Sequence, residues 1–67
     1  MKIDIRNNIQ QNFKDTSIEE MRQSIEDSLA DKEEITLPGL GVFFELLWEH
    51  SSNEEQEQIL SIIKQNL

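Results

Sequence analysis

The chain contains no cysteine and a single histidine, His50. No disulfide framework and no cysteine-ligated zinc can stabilise it, and a multi-histidine metal site is excluded. Basic residues are few: six against fourteen acidic, for a net charge of −8. A field of that sign repels DNA, RNA and anionic membranes, and it keeps the surface soluble. No apolar run approaches the roughly 20 residues of a membrane span. The opening "MKIDIRNNIQ" lacks the apolar core of a secretion signal, so an intracellular compartment is expected. Repeats of 20 residues or more and low-complexity tracts are absent. The one proline and both glycines fall between positions 38 and 41, so punctuation elsewhere is left to caps and charges.

Sixty-seven residues make one domain, 1–67. A chain this short buries a modest share of its surface, and without staples it must rely on helix packing and self-association. The charge is uneven. Residues 1–14 carry Lys2, Arg6 and Lys14 against Asp4, a balance of +2, and the rest of the chain carries −10.

Helical periodicity dominates. In "DIRNNIQQNFK" (4–14), Ile5, Ile9 and Phe13 recur at intervals of four, a single apolar stripe on a short helix that Asp4 can cap. The alternation Met1, Ile3, Ile5 leaves a strand open for the first residues. A boundary follows at "DTS", where Thr16–Glu19 and Ser17–Glu20 both match a capping box. Beyond it Ile18, Met21, Ile25 and Leu29 share one helix face, which ends near Ala30 or Asp31. "DKEEITL" (31–37) reads as a connector with an extended piece at Ile35 to Leu37, because Leu37 precedes proline. The last segment, 51–67, opens with Ser51–Glu54 or Ser52–Glu55 as a cap. Its early glutamates and late Lys64 suit the helix dipole, and Ile59, Leu60, Ile63 and Leu67 form its apolar face.

The stretch "LPGLGVFFELLW" (37–48) admits three readings. As a strand, Val42, Phe44, Leu46 and Trp48 share a face, and the pattern resembles the first hairpin of histone-like bacterial DNA-bending proteins. The long basic arm those proteins need to enter the minor groove is missing. As a turn, Leu37-Pro38-Gly39-Leu40-Gly41 resembles the hairpin of a helix-hairpin-helix motif, in which Gly39 and Gly41 would bring backbone N–H groups to a phosphate. Glu45 and Glu49 would then stand beside the anion. As a helix over 38–50, Pro38 takes the first position and the glycines permit close packing against a neighbour. Glu45 and Glu49 then form a narrow polar stripe opposite Leu40, Phe43, Phe44, Leu47 and Trp48. A helix so apolar around its circumference is expected to be buried on several sides.

Other chemistry is thin. Phe43, Phe44 and Trp48 could stack on bases, but single-strand binders set their aromatics in basic grooves. Glu45 and Glu49 form a carboxylate pair without a cleft, and acid–base work usually requires a perturbed pKa. "DKEE" lacks the spacing and glycine of a calcium loop. His50 suits the negative end of a helix dipole. No nucleophile constellation or nucleotide loop is present, so no catalytic, cofactor or metal residue is assigned.

Taken together, the residues Ile5-Arg6, Ile25, Glu33-Glu34, the signature Leu37-Pro38-Gly39-Leu40-Gly41-Val42, then Phe44-Glu45 and Trp48 resemble the small acid-soluble spore protein I family of endospore-forming bacteria. The resemblance covers nearly the whole chain and is weakest in the tail. It implies a protein that accumulates late in sporulation and resides in the spore core. It supplies no catalytic or ligand-binding residue. The better-known DNA-protecting spore proteins are a different family, and their glycine-containing segments are not found here.

The expectation is therefore an all-α domain, a small bundle of three to four short helices around the apolar helix at about 38–50. The alternative is an α+β fold with a short hairpin at 35–48. In function, the chain is expected to be a non-enzymatic spore protein of interaction or storage. It would need no cofactor, metal or membrane, and would pair with a second copy or another spore protein. Seven large apolar residues between 40 and 48 are many for so small a core, and a symmetric dimer would bury the excess. The alternative function is a nucleic-acid-binding module built on the Pro-Gly-Leu-Gly turn and the basic first helix, a partner the acidic charge disfavours.

Overall fold

Three of the four α-helices begin where a side chain satisfies a free N–H group, and the computed structural model describes this for residues 4–67. Helix α1 spans Ile5–Phe13, and the Asp4 carboxylate accepts the Asn7 N–H at 3.0 Å. It stops where Thr16 folds back, donating to the Phe13 carbonyl from both its N–H (3.2 Å) and its hydroxyl (2.8 Å). Of the strand suggested for the first residues, Met1 and Ile3 lie outside the described residues, and Ile5 is helical.

Helix α2 spans Ile18–Asp31. Of the two cap patterns, Ser17 is the one used: its hydroxyl accepts the Glu20 N–H and donates to the Glu20 carboxylate, both at 3.1 Å. The helix ends at Lys32, which takes the left-handed conformation (φ 52°) usually reserved for glycine.

The connector is a 3-10 turn at Glu34–Thr36, not an extended piece. Leu37 is right-handed helical although proline follows, because its N–H is anchored on the Glu34 carbonyl at the close of the turn. Helix α3 therefore starts one residue earlier than expected and spans Leu37–Glu49, with His50 as its cap. Pro38 sits at the second helical position rather than the first, where its missing N–H again lacks an intrahelical acceptor. The hairpin at 35–48 does not form, and no strand occurs among the described residues. Helix α4 spans Asn53–Gln65 and carries a complete capping box. Ser52 Oγ accepts the Glu55 N–H (3.2 Å), and the Glu55 carboxylate accepts the Ser52 N–H (2.8 Å).

The packing centres on α3. Helix α1 lies along it, joined by an edge-on contact of Phe13 with Phe43 (ring centroids 5.0 Å apart, 82°) and by the ion pair of Arg6 with Glu45 at 2.9 Å. The expectation that α3 is buried on several sides does not hold within one chain. Val42, 5% exposed, is the sole fully buried residue among those described, and Leu47 remains 52% exposed. The helices stand too far apart to close over α3. The radius of gyration is 13.4 Å, where about 11 Å is typical of a compact chain of this length. Nor do the glycines bring a helix close. A Cβ added at Gly39 or Gly41 would meet nothing within 4 Å, and neither residue has positive φ.

Candidate functional site

The spacing of apolar residues on α2 and α3 places two greasy faces opposite each other without closing the gap. Met21 and Ile25 come from α2; Leu40, Phe43, Phe44 and Leu47 come from α3. Together with Leu46 at the edge they line an open groove of about 390 Å³ with almost no polar wall. Four of the five surface residues expected from the sequence thus meet in one groove. The fifth, Trp48, flanks it: its ring stacks on Phe44 (5.9 Å, 23°), and its carbonyl accepts Gln56 Nε2 of α4 at 3.0 Å. Sequence reasoning assigned Met21 and Ile25 to a helix face but not to this surface. Their regular spacing with Ile18 and Leu29 was the available signal.

The α2–α3 side continues toward the α1–α2 corner, where Lys14 lines a neighbouring cleft with Phe13, Met21 and Phe43. Arg22 lies beside Met21 and Ile25 on α2, with Glu26 at the far end of the same patch. These charges border neighbouring patches, and no charged residue lines the groove itself.

The polar stripe of α3 lies elsewhere. Glu45 accepts both Arg6 Nε contacts, at 2.9 and 3.2 Å, and this hydrogen bond holds its carboxyl below the ordinary value. A carboxylate kept ionised in this way is unsuited to proton transfer at neutral pH. His50 Nδ1 is tied to the Leu46 carbonyl at 2.8 Å, at the C-terminal end of α3. Gly39 and Gly41, the candidate phosphate contacts, lie within the first turns of α3 and not in a turn between helices. Among the described residues, no group of three or more His, Asp or Glu side chains is arranged to hold a metal ion. No helix among them is long and apolar enough to cross a membrane.

The family model for small, acid-soluble spore protein I matches residues 3–67. The chain belongs to this family. A small, acid-soluble spore protein I from Geobacillus sp. (strain WCH70) is 37% identical over 65 residues, covering 97% of this chain and 92% of the relative. The protein of the same name from Bacillus licheniformis is 34% identical over 67 residues, covering 100% and 96%. That from Bacillus subtilis (strain 168) is 33% identical over 67 residues, covering 100% and 94%. No solved structure matches the chain. The resemblance carried by Leu37-Pro38-Gly39-Leu40-Gly41-Val42 is thus confirmed, and the match runs through the tail as well. In this small, acid-soluble spore protein I family member, the signature forms the start of α3, and its apolar continuation lines one wall of the groove.

Proposed function

We propose that this protein is a non-enzymatic component of the spore core that works by association, and that the occupant of its α2–α3 groove is a second copy of the chain. The observation behind this is exposed area. The folded chain exposes 6107 Å², where about 4,400 Å² is expected of a monomer of its mass, so folding alone hides about 47% of the unfolded surface instead of about 60%. The excess of about 1,700 Å² is roughly twice what one partner contributes to a standard protein interface. Much of it is apolar, on Phe44 (40% exposed), Leu46 (37%) and Leu47 (52%). A two-fold dimer joins like surfaces and so covers the same patch on both chains.

Sedimentation velocity across micromolar to millimolar concentrations tests this: the dimer mass is expected, and a monomer throughout overturns it. Gel retardation with duplex and single-stranded DNA at low salt tests the rival class. No retardation is expected of a chain of net charge −8. Salt-sensitive retardation that disappears when Lys2, Arg6 and Lys14 are neutralised would favour nucleic-acid binding instead.

A further inference from the structure

Helix α2 carries an apolar row that its own chain leaves largely uncovered. Ile18 is 79% exposed and Leu29 57%, while Met21 and Ile25 between them are half-buried. Met21 and Ile25 also line the α2–α3 groove, so the row and the groove form one continuous surface. Two charged residues border the row, Arg22 and Glu26, about one helical turn apart. Among the described residues, neither takes part in an ion pair. We infer that the row is the contact surface of the dimer: α2 packs antiparallel on α2 of the second copy, about a two-fold axis level with Ser24, and Arg22 of each chain meets the partner's Glu26. This interface rests on the self-association proposed above and adds the helix, the direction and the register.

Charge and shape select the same register. A two-fold axis perpendicular to the helices reverses one against the other and keeps corresponding flanks on the same side. With the axis at residue 24, Arg22 and the partner's Glu26 lie at one level on one flank. At 1.5 Å per residue, Met21 then falls midway between the levels of the partner's Ile25 and the partner's Leu29, about 3 Å from each. Ile25 falls midway between the partner's Ile25 and the partner's Met21, and Ile18 lies about 1.5 Å from the level of the partner's Leu29. Side chains staggered in this way interlock as knobs into holes. A parallel pair sets Arg22 against the partner's Arg22 and Glu26 against the partner's Glu26, and it aligns the two helix dipoles.

The rest of α2 allows the approach. Its other acidic residues, Glu19, Glu20, Asp27 and Asp31, lie more than about 100° around the helix from the centre of the row. A chain of net charge −8 thus meets its copy where acidic repulsion is weakest. Ser24 and Ser28, on the flank opposite Arg22, line the cleft shared with α1 and α3. The charged rim therefore stays in water, and the two grooves adjoin on the other flank, where Phe44 and Leu47 are exposed.

Arg22 and Glu26 are exposed, so reversing either charge leaves the fold in place. Arg22→Glu and Glu26→Arg are each expected to weaken the homodimer by about fivefold or more in sedimentation at low salt, and added salt should shrink the loss. Mixed in equal amounts, the two variants are expected to regain dimerisation, because the mixed dimer restores both pairs. A wild-type dimer that neither reversal weakens overturns the interface, as does a loss that mixing fails to repair. A wild type that stays monomeric throughout removes the underlying association instead. The absence of native cysteine allows a second readout. On oxidation Ile25→Cys is expected to link to its own copy, while Ile18→Cys, about 18 Å along the helix from the same position in the partner, is expected not to. Equal linking at both positions overturns the antiparallel direction, and linking at neither in chains that still dimerise overturns the interface.

Discussion

Replacing Val42 with alanine probes the one buried side chain among the described residues. Two methyl groups are lost at about 0.8 kcal/mol each. A cavity term of up to about 1 kcal/mol adds to this if the neighbours stay in place. Alanine is the better helix former by about 0.6 kcal/mol, which offsets part of the loss. Together these terms leave a net destabilisation of about 1.5 kcal/mol. That is a large share of the roughly 3–10 kcal/mol that a domain of this length holds. Thermal unfolding followed by circular dichroism at low protein concentration should show a midpoint lower by about 6–12 °C. Ile62→Ala is the control: Ile62 is 62% exposed, and its truncation should change stability by less than about 0.5 kcal/mol. If Val42→Ala melts with the wild type, or if Ile62→Ala is the more damaging change, the placement of Val42 at the centre of the packing is refuted.

Four further outcomes are expected. Ser52→Ala removes the hydroxyl that accepts the Glu55 N–H and should cost about 1 kcal/mol in a denaturant titration. Lys32→Gly relieves a left-handed lysine and should raise stability by about 1 kcal/mol. Gly41→Ala has open space and a helical backbone, so it should raise the melting temperature of the monomer, by an amount equivalent to about 0.5–1 kcal/mol. Glu45→Gln tests the ion pair through pH. The folded carboxyl lies below its ordinary value of 4.5, so its stabilisation is complete above that value and is lost as pH falls through the lower, folded one. The wild type should exceed the variant in melting temperature at neutral pH, and the gap should shrink in acid. Added salt should shrink it too, since both partners are exposed. A gap independent of pH would show that the pair contributes nothing through charge.

The features legible in the sequence were those encoded within a few residues. Ser17, Ser52 and Asp4 each announce a helix start because the group they satisfy lies three residues away. The all-helical class and the position of α3 followed from periodicity. Features that depend on distant partners were not legible. Nothing local in Arg6 points to Glu45, 39 positions on, and nothing in Lys32 announces a left-handed turn. The 3-10 turn replaced an extended piece because an anchored N–H at Leu37 outweighed the preference imposed by the following proline. The extent of burial was overestimated for a related reason. An apolar circumference states what a helix seeks to cover and is silent on whether its own chain supplies the cover. Of the candidate surface, the α3 residues were legible as a stripe, while Met21 and Ile25 required the helices to be placed in space.

The pairing of α1 with α3 bears on how the polypeptide is born. A nine-residue helix is too short to persist alone in water. Its Phe13 and Arg6 find their counterparts only at positions 43 and 45. During synthesis, the first segment must therefore wait, largely unstructured, until two thirds of the chain has emerged. The return of the beginning to the middle is thus a non-local step that the first segment cannot take on its own.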